Sequence, residues 1–134
     1  MISLRTHNIM DYFGGAFLLL SPLLFGFADL SEARNLFMAG GFLLILYSFL
    51  TNYEVGAVRM IPLGAHMALD VILGVSLILG PWLLNYREFL TTGQEWLHYF
   101  FGVSILFLVG FSREKTETDK REHGLVFHSV IGRS

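Results

Sequence analysis

Long apolar runs separated by short polar connectors dominate the chain. Residues 4–28, 36–50, 62–84 and 96–111 are mostly apolar, each near or slightly under the ~20 residues that carry a helix across a bilayer core. The two shorter runs reach that length by borrowing flanking residues. Four such helices with short connectors leave no solvated face for a soluble bundle. The pattern therefore predicts an all-α fold, an integral membrane four-helix bundle.

Inside these runs the sparse polar residues repeat. "HNIMDYFGGAFLLLSP" (7–22) and "HMALDVILGVSLILGP" (66–81) share one skeleton. A shift of 59 aligns His7 with His66, Asp11 with Asp70, Gly15 with Gly74, Leu18 with Leu77 and Pro22 with Pro81; a shift of 61 then aligns Leu36 with Leu97 and Gly41 with Gly102. Each half reads as a helical hairpin, so the bundle is built from two parallel hairpin repeats, about 5–53 and 62–112. They form one domain, 1–112, followed by a charged tail, 113–134. Recurrence of the first pattern in mid-chain also sets aside a cleaved signal peptide, since the second copy lies where no such peptide belongs.

The cationic residues orient the spans. Arg5, Arg59, Arg113, Lys115, Lys120, Arg121 and Arg133 fall at the N-terminus, the middle connector and the tail, against Arg34 and Arg87 in the other two connectors. The positive-inside rule then places both termini in the cytoplasm. With an even number of spans per half, both halves enter from the same side, which makes this a parallel repeat. Trp82, Tyr86, Trp96 and Tyr99 surround the second outer connector and read as interfacial anchors. Pro62 suits the first turn of the third helix, while Pro22 and Pro81 bend or end theirs. The tail reads as solvated, with an alternative in which 125–131 docks on the cytoplasmic face.

Composition then narrows the chemistry. Cysteine is absent, which removes disulfides, thiol nucleophiles and Cys-ligated metal. A net charge of -2 gives no basic surface for a nucleic-acid partner. The expected surroundings are the lipid bilayer, with self-association or a larger membrane protein partner suggested by the small extramembrane mass.

The twin pattern, "HNIMDYFGGAFLLLSPLLFGF" and "HMALDVILGVSLILGPWLLNY", resembles the SPW-repeat family of small bacterial integral membrane proteins. The resemblance covers residues 5 to 112. The signature Ser-Pro-Trp is split here between Ser21-Pro22-Leu23 and Gly80-Pro81-Trp82. It implies a fold and a location, the bacterial inner (plasma) membrane, and carries no activity.

On a helix, positions i, i+4, i+8, i+11 and i+15 share one stripe. His7, Asp11, Gly15, Leu18 and Pro22 lie on one such stripe and His66, Asp70, Gly74, Leu77 and Pro81 on the other, with the glycines permitting close helix approach. If the first and third helices meet about the pseudo-two-fold axis, two His and two Asp converge about a turn inside the cytoplasmic surface. A structural role is one reading: the four residues satisfy one another and fix the register of the halves. A second is a ligand site, with His7, Asp11, His66 and Asp70 binding a divalent transition metal, or the histidines serving as axial haem ligands. A third is proton or ion movement, for which no continuous polar path is evident beyond Tyr47, Ser48 and Ser104. A membrane enzyme acting on a lipid or quinone completes the alternatives. Ser21 and Ser76 lack a His on their own stripe, so a serine hydrolase is excluded and no catalytic residue is assigned. His98 reads as interfacial, Glu32, Glu54, Glu88 and Glu95 as loop charges, and His123 and His128 as weak metal candidates in the tail.

Overall fold

The computed structural model describes residues 2–51 and 58–131, with side chains described through Ser112. Among the described residues the chain is all-helical, with no strand: α1 (Leu4–Leu24), α2 (Ser31–Phe49), α3 (Leu63–Leu83) and α4 (Thr92–Ile131), plus one 3-10 turn at Arg87–Phe89. The four expected runs coincide with these four helices. The largest difference is at the C-terminal end, where the α4 backbone continues as helix to Ile131. The charged stretch at its start, 113–122, is rich in Glu, Lys and Arg, which are good helix formers, so loss of apolar character does not end the helix. The expectations for Glu54, for the tail histidines and for docking of the tail side chains lie outside the described residues.

Local signals account for the helix ends. Ser3 caps α1, its hydroxyl accepting from the Thr6 N–H at 3.1 Å. At the start of α4, Thr91 and Gln94 form a reciprocal capping box: the Thr91 hydroxyl accepts from the Gln94 N–H at 3.2 Å, and the Gln94 side-chain oxygen accepts from the Thr91 N–H at 3.0 Å. Pro62 stands at the N-cap of α3, one position before the first helical turn. Pro22 and Pro81 each lie two residues before their helix ends. The ends are matched: Gly26 (φ 76°) and Asn85 (φ 56°) take the left-handed conformation, and the N–H groups of Phe27 and Tyr86 then reach back to the Pro22 and Pro81 carbonyls, each at 3.0 Å. This is the Schellman arrangement, which satisfies last-turn carbonyls and directs the following aromatic inward; Phe27 and Tyr86 are both buried.

α1 packs most closely on α2 and α3 on α4, with lighter contact of α2 with α3 and α1 with α4. Glycine sets the separation within each hairpin. A Cβ added at Gly41 would lie 2.5 Å from the Gly15 carbonyl oxygen, and one at Gly102 would lie 2.7 Å from that of Gly74. Both pairs are backbone against backbone, so each hairpin crosses at its repeat-equivalent glycines. The shared core comprises Leu18, Phe37, Leu44 and Tyr47 from the first hairpin with Leu73, Leu77, Phe101 and Ile105 from the second.

α3 (Leu63–Leu83) and the first part of α4 (Thr92–Ser112) are long and apolar enough to cross a membrane. α1 and α2 have comparable length but carry polar residues in their first turns, among them Arg5, His7, Asn8 and Asp11 in α1 and Glu32, Arg34 and Asn35 in α2. That dilutes their hydropathy below the level α3 and α4 reach.

Candidate functional site

Within each pair, on α1 and on α3, His and Asp stand one turn apart, and the fold brings all four side chains to one point. His7 and His66 are fully buried, Asp70 is 1% exposed and Asp11 5%. His7 Nε2 lies 3.0 Å from Asp70 Oδ2, and His66 Nε2 lies 3.0 Å from Asp11 Oδ2. Contacts within each repeat are longer, at 3.4 Å for His7–Asp11 and 3.2 Å for His66–Asp70. The four atoms thus form a ring of alternating nitrogen and oxygen whose shorter sides join the two repeats. The imidazole rings meet edge-on, with centroids 5.7 Å apart.

Outside this ring the same crossing is repeated. Ser112, at the end of repeat 2, places Oγ 2.8 Å from His7 Nδ1. Thr51, just past α2 in repeat 1, places Oγ1 2.9 Å from His66 Nδ1. These hydroxyls are equivalent under the shift of 61. The chain after α2 folds back to hold Thr51 there, with the Met60 and Ile61 N–H groups donating to the Leu50 carbonyl at 3.0 and 2.9 Å. The carboxylates also gain donors from α2: the Tyr47 hydroxyl donates to Asp70 Oδ1 at 2.6 Å and the Ser48 hydroxyl to Asp11 Oδ2 at 3.3 Å. Tyr47 and Ser48, which the sequence offers only as scattered polar residues of the second helix, therefore belong to the cluster. Ser104 lines a groove between α1 and α4 together with Asp11.

Hydrogen-bond directions constrain His66. The Thr51 hydroxyl donates its only proton to the Tyr47 carbonyl, so toward His66 it acts as an acceptor. His66 must then carry a proton on Nδ1. In the neutral ring this leaves a lone pair on Nε2, facing two carboxylate oxygens at 3.0 and 3.2 Å. Three acceptors without a positive centre between them repel in a buried, low-dielectric site. A second proton on His66, or a metal ion, resolves the conflict.

Haem fits this arrangement poorly. A macrocycle with two axial histidines needs the plane between their Nε2 atoms, and that plane holds both carboxylate oxygens within 3.4 Å of the nitrogens. Among the described residues, these four are the cluster whose ligand atoms, all within 4.8 Å of one another, suit a metal ion.

Gly15, Gly74, Pro22 and Pro81, from the same two stripes, are buried but stand apart from the polar ring, in the roles described for the hairpin crossings and helix ends. Asn8, beside His7 and fully buried, has neither amide atom hydrogen-bonded among the described residues; its counterpart in the other repeat is Met67.

At the opposite end of the bundle two expectations need correction. His98 and Tyr86 are fully or almost fully buried rather than interfacial. Burial pushes the Tyr86 phenol above its ordinary range, so it stays protonated and donates to His98 Nε2 at 2.8 Å, while His98 Nδ1 donates to the Gln94 carbonyl at 2.7 Å. The ring of His98 also meets Phe37 edge-on at 4.7 Å. It is a satisfied core histidine. Trp82 and Trp96 are exposed, and Arg87 lies 5.2 Å over the Trp82 ring while pairing with Glu95 at 2.8 Å.

A family model described as SPW repeat domain matches residues 5–112. No curated protein and no solved structure matches the chain.

Proposed function

The chain belongs to the SPW repeat family, and from that premise we propose that it is a small multi-pass membrane protein of structural or accessory type, whose His–Asp quartet clasps two helical hairpins together. One observation carries the reading: a broad apolar surface faces outward while the polar groups of one end are buried. Side chains such as Phe13 and Leu23 (each 75% exposed), Ile72 (62%) and Phe107 (54%) face outward on α1, α3 and α4, while histidines, aspartates and hydroxyls fill the centre of one end. An apolar surface of this extent is unfavourable in water and suits lipid. A polar cluster in its place inside is the usual means by which membrane helices gain specificity beyond apolar packing.

In this reading all four helices span an inner or plasma membrane. The Lys/Arg distribution supports a quartet toward the cytoplasmic side. Its shallow depth lowers the cost of charge, and the crossed contacts fix the halves in one register. The outward apolar faces suit lipid first and a second copy or a larger membrane protein next.

The test is Asp70→Asn with two readouts. Cysteines introduced at Arg59 and Glu88 report topology, with labelling expected only from the cytoplasm at the first and only from outside at the second. In the same background, unfolding in mixed micelles should show a loss of about 3 kcal/mol, the scale for removing one partner of a buried pair. Reversed labelling contradicts the orientation. Wild-type stability in the variant contradicts the clasp.

A further inference from the structure

We infer that the centre of the quartet is a binding site for a divalent first-row transition-metal ion, with His7 Nε2, His66 Nε2, Asp11 Oδ2 and Asp70 Oδ2 as its ligands. The inference rests on the same four residues as the proposed clasp and goes further, by naming what the clasp can hold.

Geometry is the first support. The four sides of the ring measure 3.0, 3.0, 3.2 and 3.4 Å. Whether four atoms at such spacings form a square or a tetrahedron, their centre lies about 1.9 to 2.2 Å from each, which brackets the usual lengths of zinc bonds to imidazole nitrogen and carboxylate oxygen. The ligands need no rearrangement to receive an ion.

The second support is the orientation of the imidazoles. A ligating histidine presents one nitrogen to the metal and donates its other N–H to a fixed acceptor. His66 does this by necessity, because Thr51 has committed its own proton to the Tyr47 carbonyl and can only accept at Nδ1. His7 has the matching hydroxyl, Ser112, at its Nδ1. The carboxylates are held in turn by Tyr47 and Ser48. Both ligand types are thus oriented by an outer layer of hydroxyls drawn from both repeats.

Charge and donor type select the ion. Two carboxylates neutralise a dication, as a buried site requires. Two imidazole nitrogens among four donors favour zinc and its transition-metal neighbours over magnesium or calcium, which take oxygen donors in larger number. On binding, the ion takes the place of any proton lying between a histidine Nε2 and the carboxylates, and that proton leaves to solvent.

Cobalt(II) is a direct probe, since ligand-field absorption reports coordination by nitrogen and oxygen. The full untagged chain, purified in mild detergent and stripped with chelator, is titrated with cobalt chloride. One cobalt per chain with a visible band that zinc bleaches is the expected result. The band should persist in His123→Ala/His128→Ala, which removes the tail histidines. It should weaken in Thr51→Val, which leaves all four ligands in place but removes the Nδ1 acceptor, by about 10- to 100-fold in affinity. No band in the wild-type chain at millimolar cobalt overturns the site, as does a band lost with the tail histidines or unchanged in Thr51→Val. A chain that binds no cobalt but is destabilised by Asp70→Asn loses the metal site and keeps the clasp; a chain that binds cobalt without that destabilisation does the reverse.

Discussion

Replacing Gly41 with Ala places a methyl group against backbone that has nowhere to go. Its Cβ would stand 2.5 Å from the Gly15 carbonyl oxygen, 2.9 Å from the Leu19 nitrogen and 3.0 Å from Leu18 Cβ. Ordinary contact begins near 3.4 Å, so α1 and α2 must part by several tenths of an ångström at their crossing. Because the obstacles are two main-chain atoms and a Cβ fixed to the main chain, no side-chain rotation relieves them, and overpacking of this kind costs about 1–3 kcal/mol. Gly14→Ala supplies the control on the same helix pair. Its Cβ meets only Leu44 Cδ2, at 3.9 Å, so the better helix propensity of Ala should leave that variant unchanged or stabilise it by up to about 1 kcal/mol. Unfolding of both variants in mixed micelles, followed by helicity, measures the difference. The expected gap is about 1–4 kcal/mol, with Gly41→Ala the weaker protein. Equal stability would refute the close glycine crossing and, with it, the hairpin geometry that sets Asp11 and Ser48 side by side.

Two further outcomes test the layers around the cluster. Thr51→Val and Ser112→Ala each deprive one buried histidine of its Nδ1 partner, so both should destabilise the chain by about 1–2 kcal/mol; a loss confined to one of them would break the equivalence of the repeats. Tyr86→Phe removes the donor to His98 Nε2 at the opposite end, with an expected loss of about 1–3 kcal/mol in the same unfolding assay. An unchanged Tyr86→Phe variant would mean that His98 is not held as described.

Much of this arrangement is legible in the sequence because it is written twice. The His-x-x-x-Asp spacing puts each pair on one stripe, the glycines on those stripes mark the close crossings, and equal placement in two hairpins brings the pairs together. Thr51 and Ser112 escape notice because each sits at the end of an apolar run, where a hydroxyl looks like part of a connector; the shift of 61 that aligns Gly41 with Gly102 also aligns these two. The same comparison covers Tyr86 and His98. They occupy the positions of Phe27 and Phe37, which touch at 4.9 Å in the first repeat, so an aromatic contact there becomes a hydrogen-bonded pair in the second. Read alone, a Tyr and a His beside a connector resemble anchors. The length of α4 was hidden for another reason: hydropathy marks where an apolar face ends, whereas helix formation depends on backbone propensity and continues through "REKTETDKRE".

The crossed contacts join the two hairpins, and a double-mutant cycle between His7 and Asp70 measures them. Stability in mixed micelles is determined for the wild type, His7→Ala, Asp70→Ala and the double variant, beside a parallel cycle for His7 with Asp11. Side chains 63 positions apart in sequence and 3.0 Å apart in space should couple by about 1.5–3 kcal/mol, at least as strongly as the pair one turn apart. Coupling below about 0.5 kcal/mol for His7 and Asp70, with coupling confined to His7 and Asp11, would mean that each repeat satisfies its own pair and that no shared quartet joins the hairpins.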